Sequence, residues 1–184
     1  MKKVLLIIIL TLCIFQMVVL ATAIDIGTEA KKRLYNAGVG STLVVKGNPA
    51  NASGIINSIE IYVHLDMTSC EIATFYVVSG NNLSTRDSVS IGSVATGAKR
   101  TFTTDSDSNP IKLEVEEGDY IGIHSDDGDN TIDVSGGSGV WYISGDQIPC
   151  TNETFNLGAA WTASIYATGV SPSADNAIFF GMNF

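Results

Sequence analysis

The residues best suited to chemistry lie in two acid-rich stretches and at two histidines. Gly118–Asn130 reads GDYIGIHSDDGDN. It places Asp126, Asp127 and Asp129 almost side by side, and like charges so spaced repel unless screened. Calcium is the cofactor that would screen them, because it takes hard oxygens from closely spaced residues. The favoured reading is a solvated hairpin turn, for which Asp-Gly is a strong signal, with calcium as the alternative. In the second stretch, TTDSDSNPIKLEVEE, Asp105, Asp107 and Asn109 follow the one-three-five spacing of a calcium loop, with Glu116 at position twelve. Position six is Pro110 rather than glycine, and the following residues alternate as a strand. A polar turn is therefore expected there.

His64 and His124 each fall on the polar side of a strand pattern. Asp66 or Asp126 could orient one of them as a general base. No Gly-x-Ser-x-Gly elbow is present to supply a nucleophile. No local motif singles out a pair of carboxylates for glycoside hydrolysis. The glycines of SGGSGVW precede a strand rather than a phosphate-binding helix. No enzyme is expected.

Binding has more support. Trp141 and Tyr142 are neighbours on one strand pattern, and Trp161 opens another. Exposed aromatic rings stack on the apolar faces of sugars, and Asp146 and Gln147 would take the hydroxyls. The competing reading is that both tryptophans fill the core. Asn51-Ala52-Ser53, Asn82-Leu83-Ser84 and Asn152-Glu153-Thr154 match the N-glycosylation pattern.

The elements that position these residues follow from the rest of the chain. Lys2 and Lys3 precede an apolar run from Val4 to Leu20, and Ala21-Thr22-Ala23 completes the layout of a secretory signal peptide over residues 1–23. The run is long for such a leader, so a retained membrane anchor is the alternative. Cleavage leaves about 160 residues, the size of one domain. The chain carries a net charge of −9, and losing both lysines would make it more acidic. Such a charge repels nucleic acid and anionic membranes. Cys70 and Cys150 would remain, and an even pair in an oxidising compartment predicts a disulfide, with two unpaired thiols as the alternative. No cysteine or histidine spacing fits zinc.

Residues 24–168 read as β-structure nearly throughout. In SIEIYVHLD, Ile59, Ile61, Val63 and Leu65 alternate with polar residues, the mark of a half-buried strand. CEIATFYVVSG is apolar on both faces, as in mid-sheet. Further runs cover Ser88–Val94, Arg100–Thr104, Ile111–Val115, Tyr120–His124, Thr131–Val134, Val140–Ile143 and Thr162–Thr168. Short strands with turn signals between them predict a sandwich or barrel. Only Glu29–Tyr35 could form a helical turn, and it reads equally as a loop. Residues 169–184 read as a short linker and a last strand, NAIFFGMNF, in which Ile178, Phe180, Met182 and Phe184 alternate.

The passage LEVEEGDYIGIHSDDGDN resembles the strand entry of secreted and viral jelly-roll modules, such as the tumour-necrosis-factor and complement-type sandwiches. GNPANASGIINSIEIY, ATFYVVSGNNLSTRDSVSIGSV and GVWYISGDQIPCTN resemble uncharacterised domains of cell-surface and phage proteins. The last strand resembles the final strand of bacterial outer-membrane barrels. The resemblances imply an antiparallel, jelly-roll-like β-sandwich and no particular activity. The expectation is a secreted or cell-surface, non-catalytic module that binds a glycan or surface protein. The alternative is a structural subunit of a filament, appendage or virion, self-assembled through Asn176–Phe184 by strand donation.

Overall fold

Two places where the chain switches sheets organise the molecule. The computed structural model describes residues 21–172. The chain forms β1 (Ala23–Gly27), β2 (Tyr35–Asn36), β3 (Ser41–Val45), β4 (Gly54–Ile61), β5 (Val63–Ser79), β6 (Asn82–Val94), β7 (Arg100–Phe102) and β8 (Leu113–Val115). It continues with β9 (Tyr120–His124), β10 (Asp127–Asp133), β11 (Val140–Ser144), β12 (Glu153–Thr154), β13 (Asn156–Gly158), β14 (Thr162–Ala163) and β15 (Ile165–Val170). Among the described residues there is no helix, and Glu29–Tyr35 is loop leading into β2.

The smaller sheet has the order β1-β15-β4-β7, with β8 beside β7 on β4. The larger runs β12-β6-β5-β9-β3-β11-β13, and β10 joins it through β5 and carries β2 and β14. All strand pairs are antiparallel. Early and late strands thus interleave in each sheet, and the molecule is the all-β antiparallel sandwich expected.

SIEIYVHLD is not one strand. The chain leaves the smaller sheet after Ile61 and enters the larger one at Val63, with Tyr62 as the hinge. Ile59, Ile61 and Val63 stay in the core, but Leu65 ends up exposed opposite Asp129. The run from Thr162 breaks likewise at Ser164, between β14 in the larger sheet and β15 in the smaller. The two crossings are tied by the Tyr62 N–H donating to the Ser164 carbonyl at 3.2 Å. Beneath them, Arg33 donates to the Ser164 hydroxyl (2.8 Å), to Asp133 (3.0 Å) and to the Glu29 carbonyl (2.9 Å). A buried guanidinium held by three oxygens is satisfied, so it pins the segment before β2 to the crossings without an unpaired charge.

The main core fills the space between the sheets. Ile24, Ile26, Ile56, Ile59, Leu113, Ile165 and Ala167 enter from one side, and Leu43, Val45, Cys70, Ile72, Ile121 and Ile123 from the other. A second core lies on the outer face of the larger sheet. Val44, Ala73, Phe75, Leu83 and Trp141 point outward there, and residues 145–158 fold back over them with Ile148 and Phe155. The apolar character of CEIATFYVVSG on both faces is thus explained: Cys70 and Ile72 belong to the first core, Ala73 and Phe75 to the second. The Ile148–Pro149 peptide bond in this cover is cis.

Cys70 and Cys150 are free thiols, so the expected disulfide does not form. Cys70 faces the main core opposite Gly92, whereas Cys150 bonds Thr85, whose partner on β5 is Phe75. Five strand positions at about 3.3 Å each separate the two by roughly 16 Å along the sheet. A disulfide needs Cα atoms within about 7 Å. The strand Asn176–Phe184 lies outside the described residues. Strands β1 and β15 reach Ala23 and Val170, one and two residues past the expected limits of the sandwich.

Candidate functional site

The acidic run does not gather as a metal site. Asp-Gly makes no hairpin here: β9 ends at His124, and Asp127 already belongs to β10, which pairs with β5 instead. Asp127 lies opposite Thr68 and Asp129 opposite Leu65, so the register slips between them. Gly128 sits in this bulge at φ 75°, where an added Cβ would strike the Asp66 carbonyl. The bulge sends the three carboxylates apart. Asp127 accepts from the Thr68 N–H (2.9 Å) and hydroxyl (2.5 Å). Asp129 is buried and accepts from the N–H groups of Ala37 (2.8 Å) and Gly38 (3.0 Å). Burial raises the Asp129 pKa above the usual carboxylate value, and those two N–H bonds partly offset it. Asp126 is exposed, 3.7 Å from His124 Nε2. Among the described residues, no three His, Cys, Asp or Glu side chains are placed to hold a metal ion. The hairpin turn expected at Asp126–Asp129 is instead a strand bulge, and the three carboxylates considered for calcium face different partners.

The other acidic loop closes on itself. Asp105 accepts from the backbone N–H groups of Asn109 (2.8 Å) and Asp107 (2.9 Å), which lower its pKa. Glu116 lies elsewhere, paired with Arg86 at 2.9 Å. Arg86 also clamps the buried Asp119, which holds the Glu117-Gly118 turn by accepting from the Glu116 N–H at 2.8 Å.

His124 is 4 % exposed, and its setting does not favour catalysis. Thr42 donates its one hydroxyl hydrogen to the Gly145 carbonyl (2.8 Å) and accepts from the Gln147 N–H (3.0 Å). Toward His124 Nδ1, at 3.3 Å, it can only accept, so Nδ1 carries the hydrogen. The hydroxyl proton is committed away from the imidazole, so the pair lacks the geometry of nucleophile and base. Glu71 lies across from His124, its pKa raised first by burial and then by Asp146. His64, the other histidine, is exposed.

The predicted sugar platform is divided. Trp141 is 2 % exposed in the second core. Its indole N–H donates to Asn81 at 2.9 Å, and Tyr120 meets its ring edge-on at 5.0 Å. No open ring face is left for a ligand, so Trp141 is a core residue. Trp161 lies over Gly158, where any Cβ would collide with the indole, and stacks on Tyr142 at 4.9 Å and 17°. Asp146 accepts from the Ile148 N–H at 2.8 Å in the turn after β11, while the Trp161 carbonyl accepts from the Gly139 N–H at 3.0 Å just before that strand's start. Asp146 and Gln147 thus stand at the opposite end of β11 from Trp161, and the five residues form no single site.

A different site appears on the outer face of the smaller sheet. Asp25, Gly27, Glu29, Asn48, Glu60 and Tyr166 line an open depression of about 300 Å3. Tyr166 on β15 pairs with Glu60 on β4 and Gly27 on β1, so sheet order alone assembles it. The Tyr166 hydroxyl donates to Asp25 at 2.7 Å, and the Asn48 amide donates to the same carboxylate. That bond to Asp25, followed by burial, pushes the Tyr166 phenol up to about 12. Glu60 pairs with Lys99 and Glu29 with Lys31, each at 2.8 Å. The lining combines oriented acceptors, an amide donor and one half-buried aromatic side chain. It suits a ligand rich in hydroxyl groups. No protein-family model matches this chain, and no curated protein matches it.

Proposed function

We propose that this chain is a non-catalytic extracellular binding module that takes a carbohydrate in the depression between β1, β4 and β15. The observation that carries this reading is the depression itself. Its volume of about 300 Å3 is at the lower end of ordinary small-ligand sites. Its lining side chains carry polar groups, and Asp25, Asn48 and Tyr166 already fix one another's orientation. Preorganised groups lose little entropy on binding. Three carboxylates against two partnering lysines disfavour uronates and other anionic sugars, so the ligand class is neutral or amine-bearing saccharide.

Calorimetry against a panel of neutral, amino and acidic oligosaccharides tests this. Wild type should bind members of the first two groups, and Glu60→Gln or Asn48→Ala should weaken binding about tenfold, the worth of one hydrogen bond. Absence of binding across the panel, or variants that bind unchanged, would sink the proposal.

A second reading is a structural subunit of an extracellular filament, appendage or virion. It is favoured by the place where the sandwich begins and ends: Thr22 donates to the Ser171 hydroxyl at 2.7 Å, and Ser171 donates back to the Thr22 carbonyl at 3.0 Å. Both attachment points thus lie at one end of the smaller sheet. Strand addition would meet guarded edges. The β1 edge is occupied by Asn51, which accepts from the Asp25 N–H and donates to the Ala23 carbonyl, and β6 is met by β12 and by the Ser106 N–H, which donates to the Ser90 carbonyl. Sedimentation of the intact chain against one ending at Ser171 decides this reading: assembly requires large species from the first only.

A further inference from the structure

Three glycosylation patterns occur in the chain, and the fold treats their asparagines differently. Asn51 is used at both ends of its amide: Oδ1 accepts from the Asp25 N–H at 2.9 Å, and Nδ2 donates to the Ala23 carbonyl at 3.2 Å. A sugar on Nδ2 would sit in the seam that guards β1. Asn82 is half-buried between β6 and β12. Its Oδ1 accepts from the Thr154 hydroxyl at 3.0 Å, and its Nδ2 donates to Asn152 Oδ1 at 3.3 Å. A sugar there would part the short strand pair.

Asn152 differs from both. It is exposed, at φ 53° in the turn before β12. Its N–H donates to the Ser84 hydroxyl at 2.8 Å and its Oδ1 accepts from Asn82. Among the described residues its Nδ2 meets no acceptor. The one atom that glycosylation modifies is thus the one atom of this side chain that the fold does not use.

We infer that Asn152 is an N-glycosylation acceptor and that Asn51 and Asn82 are not occupied in the folded protein. The inference rests on the extracellular part of the proposed function. The donor is a lipid-linked sugar phosphate. Asn152 Nδ2 attacks the anomeric carbon, a C–N bond forms, and the C–O bond to phosphate breaks. The amide proton leaves with the phosphate, and nothing is oxidised or reduced. Transfer happens on an extended chain, and the fold then decides which product it can accommodate. The glycan would stand beside the cover of the second core, on the larger sheet. The depression on the smaller sheet would stay clear of it.

The test places the full chain behind an added secretion leader in a cell whose secretory route glycosylates. The leader separates failure of this inference from failure of the chain's own export, which is followed with the unmodified N-terminus. Intact mass and peptide mapping should show one glycan, located at Asn152. N152Q should lose it, while N51Q and N82Q should keep it. A glycan that persists in N152Q overturns the inference. So does an unmodified chain in cells that glycosylate a control protein. Secreted N152Q with the melting temperature of enzymatically deglycosylated wild type excludes misfolding as the cause of the loss.

Discussion

The two outer faces of this sandwich have opposite fates. The face of the larger sheet is apolar, and the chain's own residues 145–158 cover it. The face of the smaller sheet is polar, and it stays open around Asp25, Glu60 and Tyr166. Alternation assigns side chains to faces, but it does not say whether a face is then covered. Of the aromatic residues that look most like a ligand platform, Trp141 lies on the covered face and Tyr142 and Trp161 pack against the main core, while the open face uses carboxylates, an amide and a tyrosine. In this molecule, aromatic content marks closure and polar register marks access.

The contrast can be broken first at its closed side. Trp141→Ala should cost about 3–5 kcal/mol in urea unfolding, as for other buried large aromatics. A loss under about 1 kcal/mol would mean that the cover does not seal a core. Thr42→Val comes next. It removes the acceptor for Gln147 and the donor to Gly145, and should cost about 1–3 kcal/mol. Hydrogen exchange should then quicken at Gln147, Cys150 and Asn152 while β4 and β15 remain protected. Uniform exchange across both sheets would show that the cover does not open separately.

The open side should respond least, and mainly through pH. The folded protein holds the Tyr166 proton up to about 12, above the ordinary 10.0. Its contribution is therefore fully present below pH 10 and is lost as pH rises through 12. Tyr166→Phe should lose that contribution at neutral pH and, with it, that component of the alkaline loss of stability. In Asp25→Asn, tyrosinate absorbance should develop at lower pH than in wild type. Identical alkaline titrations in the two proteins would dissociate Tyr166 from Asp25.

Much of the fold was legible in the chain, and the misses share a cause. Tyr120–His124 and the turn before it form as their alternation and Gly118-Asp119 require. Leu65 was misassigned because periodicity within a strand cannot show that the chain changes sheets at Tyr62. Asp127-Gly128 was read as a hairpin because local turn chemistry does not reveal that β10 pairs with β5 rather than β9. Cys70 and Cys150 suggest a pair, but they lie in separate cores. The depression was the least legible feature. Asp25, Glu60 and Tyr166 each look like ordinary outward residues, and only the order β1-β15-β4 brings them together.

The pairing of Thr22 with Ser171 also has a mechanical meaning. Strands β1 and β15 run antiparallel, so a load pulling these two residues apart acts on the ladder from one end. It would break the rung at Ala23 and Val170 first and move toward Gly27 and Tyr166 one rung at a time. Hydrogen bonds strained in succession resist far less than the same bonds strained together in shear. Under tension across its two ends, the seam between β1 and β15 is a zipper and the first part of the sandwich to yield.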